Sequence, residues 1–202
     1  FEVLALVSHA QYLDKKFGVG PHTFSVPRFQ PAGTVDWRPD YPVSENELLK
    51  SVAILRLAVP YTGMIISTRE RPEVRAKAFE IGISQTSAGS RTSPGGYGEE
   101  SKEVSQFHLQ DERSLDEVVK SVLEQGLLPS FCTACYRSSR TGKTFMDLAK
   151  PGNIHNFCRP NAILTLQEYL EDYASPQVRK LGQKIIEKYL SEILSQKIRL
   201  ET

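Results

Sequence analysis

The stretch SENELLKSVAILRLAVPYTGMIISTRERP, Ser44–Pro72, decides the fold. Ser44-Glu-Asn-Glu47 is a capping box, in which the Ser hydroxyl accepts from a free amide and the Glu reaches back. Leu48, Val52, Leu55 and Val59 then fall on one helical face, and Pro60 ends the helix. TGMIISTR, residues 62–69, follows as a mostly apolar run of strand length.

The same alternation extends outward. Upstream, Val3, Leu6, Val7, Ala10 and Leu13 recur at helical spacing as far as Gly18, and HTFSV, residues 22–26, is a short strand between Pro21 and Pro27. Residues 28–43, with Pro31, Pro39, Pro42, Gly33 and the only Trp, form a long loop. Downstream, a short helix from about Pro72 to Phe79 leads to EIGISQTSAGS, residues 80–90, whose first half is a strand. Helices alternating with apolar strands give an α/β fold with a parallel sheet. In such folds the loops after the strands carry the chemistry, and here they read PRFQP, STRERP and SQTSAGSRTSPGGY.

Composition excludes several classes. A chain of 202 residues, 40% hydrophobic and 24% charged, is globular and not disordered or rod-like. With 25 Lys+Arg against 24 Asp+Glu the net charge is +1, so no global field draws it to nucleic acid or a membrane surface. No apolar run approaches the ~18 residues of a membrane span. The first ten residues carry Glu2 and His9 and lack a signal peptide's positive leader, so the expected compartment is the reducing cytoplasm. The chain opens in mid-helix without Met, as a fragment of a larger protein does.

From Gly95 to Gln110 the chain turns polar, and a domain boundary is expected there, dividing residues 1–97 from a mainly helical 98–202. Ser114-Leu-Asp-Glu117 is a second capping box, with Leu115, Val118, Val119 and Val122 on the apolar face and Gly126 at the end. Thr165-x-x-Glu168 opens a further helix with Leu166, Tyr169, Leu170 and Tyr173, and Ser175-Pro176 starts the last.

All three cysteines lie between these helices, as Cys132-Thr-Ala-Cys135, then 22 residues containing Pro151, Gly152 and no strong helix, then Cys158. Thiolates are soft anionic ligands that suit iron–sulfur clusters and zinc. Buried free cysteines and a redox CxxC are the plainer readings, and the clustering of all three argues against both. His155, three residues before Cys158, makes a Cys3His zinc site conceivable. A cuboidal cluster manages with three thiolates and one open iron, and the missing fourth cysteine leans that way. Ser138–Thr144, SSRTGKT, mimics the end of a phosphate-binding loop, but Arg137 stands where its first Gly is required. Arg137, Arg140 and Lys143 read instead as positive groups near the thiolates or as solvated charges.

GPHTFSVPR (20–28), LAVPYTGMIISTRE (57–70), GISQTSAGSRTSPGGY (82–97), CTACYRSSRTGK (132–143), GNIHNFC (152–158) and PNAILTLQEYLEDY (160–173) together resemble the C-terminal half of the HydG family of FeFe-hydrogenase maturases. The C-x2-C-x22-C element is the specific part. The tyrosine lyase of thiamine synthesis, 2-iminoacetate synthase, is a sibling alternative against which the triplet weighs. The resemblance implies the last strands of a (β/α)8 radical S-adenosylmethionine barrel, followed by a helical cluster-binding domain at the barrel's other end. It implies cleavage of tyrosine to p-cresol and dehydroglycine, then carbon monoxide and cyanide at an auxiliary 4Fe-4S cluster held by Cys132, Cys135 and Cys158. A complete enzyme also needs S-adenosylmethionine and a second 4Fe-4S cluster on a CxxxCxxC motif, which this chain lacks. Its expected partners are therefore the missing N-terminal barrel portion and other hydrogenase maturation proteins.

Within the resemblance, Arg69 is placed to bind the tyrosine carboxylate, against the plainer reading of a surface pair with Glu70. Arg28 is a fork for the S-adenosylmethionine carboxylate or a substrate oxygen, or else a loop anchor. Ser67, Ser84, Gln85, Ser87 and Ser90 are polar groups at strand exits for a methionyl or tyrosyl moiety. His22, at a strand entrance, and His155 are candidate ligands of an extra iron, while His9 and His108 are structural. The competing class is a non-catalytic, zinc-stabilised interaction module on Cys132, Cys135, Cys158 and His155.

Overall fold

A computed structural model describes residues 1–33, 35–97 and 105–201, with side chains described as far as Ser195. Two compact units emerge, Phe1–Ser114 and Leu115–Thr202. The boundary expected after residue 97 abuts residues 98–104, which lie outside the described residues, and residues 105–114 belong with the first unit.

The first unit runs α1 (Glu2–Phe17), β1 (Thr23–Ser25), α2 (Glu45–Ala58), β2 (Gly63–Ile66), α3 (Pro72–Ile81) and β3 (Gln85–Thr86). The sheet is parallel in the order β1-β2-β3, with Phe24 opposite Met64 and Ile66 opposite Thr86. Each strand reaches its parallel neighbour through a helix, as parallel pairing requires. The expected capping box is formed: Ser44 Oγ accepts from Glu47 N at 3.3 Å, and Glu47 Oε2 accepts from Ser44 N at 2.8 Å. Leu48, Val52, Leu55 and Val59 pack with Phe24, Met64, Ile66, Val74, Ala78 and Ile83 in one core. Val52 and Leu55 are wholly buried.

The third strand differs from expectation. α3 continues through Ile81, and its Gly82 cap has φ 144, so only Gln85 and Thr86 pair in the sheet. Arg56 explains the tight turn. Its guanidinium donates to the carbonyls of Gly82, Pro60 and Thr62, at 2.7, 2.8 and 2.8 Å. A Cβ at Gly82 would stand 2.9 Å from the Arg56 side chain.

The segment 105–114 folds back onto the strand ends. Gln110 and Asp111 both donate their amides to Thr68 O, at 3.0 and 3.1 Å, and Gly89 N donates to Arg113 O at 3.1 Å. Asp111, buried, receives Arg75 and Arg113, and Arg75 also reaches Thr86 Oγ1 and the Ser87 carbonyl. Burial alone would push Asp111 up, but the Arg113 hydrogen bonds and the two arginine charges hold it below the usual carboxylate range.

The second unit comprises α4 (Leu115–Glu124), α5 (Ala134–Arg137), α6 (Gly142–Ala149), α7 (His155–Asp172) and α8 (Pro176–Glu201). Val119, Leu123, Ile163, Leu166, Tyr169, Leu170, Val178, Ile185 and Ile186 form its core. α7 and α8 approach closely at Gly182, where a Cβ would lie 2.6 Å from Leu170 Cδ2. Tyr169 OH donates to Asp116 Oδ1 at 2.9 Å, and burial together with this bond pushes the phenol up to about 12.

Two expectations here are corrected. Thr165 does not cap a helix, because α7 already begins at His155 and carries Pro160 inside it. Thr165 Oγ1 instead accepts from Phe131 N at 3.2 Å, across to the segment before Cys132. The stretch between Cys135 and Cys158 is not merely loop, since it contains α6, which buries Met146 and Ala149.

Candidate functional site

At the carboxyl ends of the strands, a cavity of about 330 Å³ is lined by Ser67, Arg69, Ser87, Ser90 and Phe107 among others. Parallel strands direct their C-terminal loops to this one side. The Arg69 guanidinium lies 4.1 Å from the centre of the Phe107 ring, a cation–π contact. The Arg69 backbone is fixed on both sides: its carbonyl accepts from Gln30 Nε2 at 2.7 Å, and its amide donates to Ser67 Oγ at 3.3 Å. No ion pair between Arg69 and Glu70 forms among the described residues; Glu70 is buried and pairs with Arg28.

Arg28 takes the position of its plainer reading, a loop anchor. Its Nε lies 3.0 and 3.1 Å from the two Glu70 oxygens, its Nη2 also meets Glu70, and Nη1 donates to Val43 O at 3.1 Å. The Glu70 hydrogen bonds raise the Arg28 pKa against the opposing effect of burial. The fork is thus closed on a carboxylate of the chain itself.

The five polar strand-end candidates separate into two groups. Ser67, Ser87 and Ser90 line the cavity. Ser84 and Gln85 precede or begin β3, opposite Met64 and Ile65, and bond within the sheet instead of lining the cavity. Ser84 Oγ accepts from Met64 N at 3.1 Å, and Gln85 Oε1 accepts from Thr23 Oγ1 at 3.5 Å. The cause is the extension of α3 through Ile81, which delays the strand. His22 is exposed just before β1, at the amino end of the sheet, its carbonyl accepting from Gly63 N at 3.0 Å.

Phe107 was not signalled by the sequence, because it sits alone in a polar tract. Asp111 was similarly hidden: an acidic residue in DER reads as solvated, yet it is 1% exposed.

The second unit brings the cysteines together. Cys132 precedes α5, Cys135 lies in α5, and Cys158 sits in the first turn of α7. The segment before Cys132 is pinned to α7, since Phe131 stacks on Tyr169 at 5.0 Å and its amide bonds Thr165. Cys132 Sγ accepts from Ala134 N at 3.3 Å. The Cys158 thiol is pushed up by burial and by the negative charges of Cys135 and Cys132, with Arg140 opposing. The Cys158 thiol therefore lies within electrostatic reach of the other two. Among the described residues no three His, Cys, Asp or Glu side chains close to the spacing of a single metal ion. Three soft sulfur donors in one unit are chemically suited to an iron–sulfur cluster or to zinc.

His155, exposed, stands three residues before Cys158 at the start of α7, on the same side of the helix. Of the three cations flagged by sequence, Arg140 stands by the cysteines, its guanidinium 4.8 Å over the Phe157 ring. Lys143 pairs with Asp147 at 2.8 Å on the surface, and Arg137 is exposed.

A parallel α/β unit with strand-end chemistry, joined to a helical unit with three converging thiols, has counterparts among known proteins. The chain belongs to the Biotin and Thiamin Synthesis associated domain family, whose model matches residues 25–128. Its fold is similar to that of HydG, a maturase of the FeFe-hydrogenase. One crystal structure of HydG shares 52% identity and a TM-score of 0.90, over 99% of this chain and 44% of that one. The HydG of Carboxydothermus hydrogenoformans shares 39% identity and a TM-score of 0.74, over 95% of this chain and 40% of that one. The 2-iminoacetate synthases of Escherichia coli and Salmonella typhimurium are each 31% identical over 124 residues, 61% of this chain and 33% of theirs. The chain thus spans about a third of the length of these curated relatives. Among the described residues, no helix is long and apolar enough to cross a membrane.

Proposed function

We propose that this chain is the closing-strand and thiolate-bearing part of a radical S-adenosylmethionine tyrosine lyase of FeFe-hydrogenase maturation. The likeness to HydG and to 2-iminoacetate synthases supports a role in the radical S-adenosylmethionine family. The observation that carries the finer reading is the convergence of Cys132, Cys135 and Cys158 in one unit. The associated-domain match ends at residue 128, before the first cysteine, whereas the likeness to HydG covers 95–99% of the chain and takes in the thiolate unit. This favours the maturase over the thiamine-synthesis enzyme.

In this reading Arg69 receives the carboxylate of tyrosine. Its planar guanidinium is held by Phe107 and presented beside Ser67, Ser87 and Ser90. The serines supply donors and acceptors for the rest of the amino acid or for S-adenosylmethionine. Cys132, Cys135 and Cys158 hold an auxiliary 4Fe-4S cluster, which supplies, when bound, an iron open to small ligands. The whole enzyme cleaves tyrosine between Cα and Cβ, giving p-cresol and dehydroglycine as the source of carbon monoxide and cyanide. The S-adenosylmethionine cluster belongs to an N-terminal barrel portion, because this chain has three cysteines and the auxiliary site uses all of them. By itself the chain is inactive, and it works with that portion and with other maturation proteins.

Anaerobic reconstitution with iron and sulfide tests the reading. A broad brown absorbance that dithionite bleaches is expected. A colourless chain holding one zinc would replace it with a structural metal module.

A further inference from the structure

The backbone fixes Arg140 in place and leaves it an unmet donor. Among the described residues Ser139 is the one non-glycine residue with positive φ, at 53°. The Ser139 amide donates to Tyr136 O at 3.3 Å and the Arg140 amide to Cys135 O at 2.8 Å. This is the bonding of a left-handed helix ending, a position usually given to glycine. The turn ties Arg140 to the carbonyl of Cys135, while its guanidinium covers the ring of Phe157, next to Cys158. One residue thereby touches both arms of the cysteine triplet, its backbone at Cys135 and its side chain beside Cys158.

The Arg140 Nε is shielded from solvent and has no hydrogen-bond partner. A buried donor without a partner is costly, and a guanidinium does not shed its proton to escape that cost. Such an orphan calls for a physical explanation.

We propose that Arg140 is the charge-compensating donor of the thiolate site. Its buried Nε–H serves the anionic, sulfur-rich group held by Cys132, Cys135 and Cys158, and its fixed charge raises that group's reduction potential. The proposal rests on the iron–sulfur reading above. Hydrogen bonds to the sulfurs, net charge and solvent exposure set the potential of a cluster. A nearby cation favours the reduced form, which carries one more negative charge. Phe157 keeps the cation partly desolvated, so its field is weakly screened.

The test is a spectroelectrochemical titration of the full chain, reconstituted anaerobically, with Arg140→Met and Arg140→Lys beside the wild type. Arg140→Met is expected to hold wild-type iron with a more negative potential. The expected change is about tenfold in the one-electron equilibrium, roughly 59 mV. Arg140→Lys, which keeps the charge and loses the Nε donor, is expected to shift less in the same direction. An unchanged potential in Arg140→Met at full iron content overturns the proposal. If Arg140→Met loses iron, Arg140→Lys decides, and a wild-type potential there overturns it. Iron loss in both variants makes Arg140 a holding residue and also overturns it. A wild-type chain that takes up no iron is a separate failure, that of the iron–sulfur reading itself, and this proposal falls with it.

Discussion

Arg28 and Glu70, 42 residues apart in sequence, form a closed fork at the carboxyl end of the sheet, with Nε 3.0 Å from Oε1 and 3.1 Å from Oε2. Glu70 is 1% exposed, so removing Arg28 strands a buried carboxylate. Arg28→Ala is expected to cost about 3–5 kcal/mol of stability in urea denaturation. A loss under about 1 kcal/mol would mean that solvent already reaches the pair.

Asp111 predicts an acid-sensitive joint. Its pKa is depressed in the folded chain, so its contribution is present above the unfolded carboxylate value of about 3.9 and is lost as pH falls through the lower folded value. Thermal midpoints are expected to drop as pH falls below about 4. In Asp111→Asn that part of the pH dependence is expected to vanish, with a lower plateau because Arg75 loses its partner. A variant with the wild-type slope would assign the sensitivity elsewhere.

Tyr169 is expected to titrate apart from ordinary tyrosines. Absorbance near 295 nm resolves a phenol ionising at about 12, and Tyr169→Phe removes that step. Because the folded value lies above the unfolded one, the contribution is complete below about 10 and fades as pH rises through the folded value. Phenylalanine also forfeits the bond to the Asp116 carboxylate, at about 1.5–3 kcal/mol.

Single Cys→Ser changes at Cys132, Cys135 and Cys158 are each expected to remove most of the reconstituted iron while leaving the helical circular dichroism in place. A serine alkoxide is a poor substitute for a soft thiolate. Full iron retention in the Cys158 variant would remove that residue from the ligand set.

On the proposed tyrosine-lyase reading, Arg69→Leu, in this chain joined to a barrel portion, is expected to weaken tyrosine binding about 10- to 100-fold. That range corresponds to one charge-assisted bond of about 1.5–3 kcal/mol. Tyramine, which has no carboxylate, serves as the control and is expected to bind both proteins alike by calorimetry. Equal weakening of both ligands would make Arg69 structural.

Local signals carried much of this structure. The Ser44–Glu47 box, the apolar face from Leu48 to Val59 and the stop at Pro60 all act within a few residues, and all stand as read. The shift of β3 was hidden because Arg56 holds Gly82 in place from another helix, an interaction of long sequence range. The true start of α7 was masked by Pro160, a helix breaker that the packing of Ile163, Leu166 and Leu170 overrides. Cysteine spacing pointed to the thiolate unit, but nothing in the sequence tied Phe131 to Tyr169. Arg69 kept its strand-end position, while its partner Phe107 and the pairing of Arg28 with Glu70 depend on the folded chain alone.

α7 carries Cys158 in its opening turn, and further along, through Thr165 and Tyr169, it grips the residue that precedes Cys132. One rod thus anchors two of the three sulfur-bearing stretches, and what stiffens or melts that rod governs them together. In a chain carrying the proposed cluster, damage at Leu166, an aliphatic side chain with no sulfur chemistry of its own, should therefore register as fading colour during heating. Bleaching and helix loss should follow a single curve.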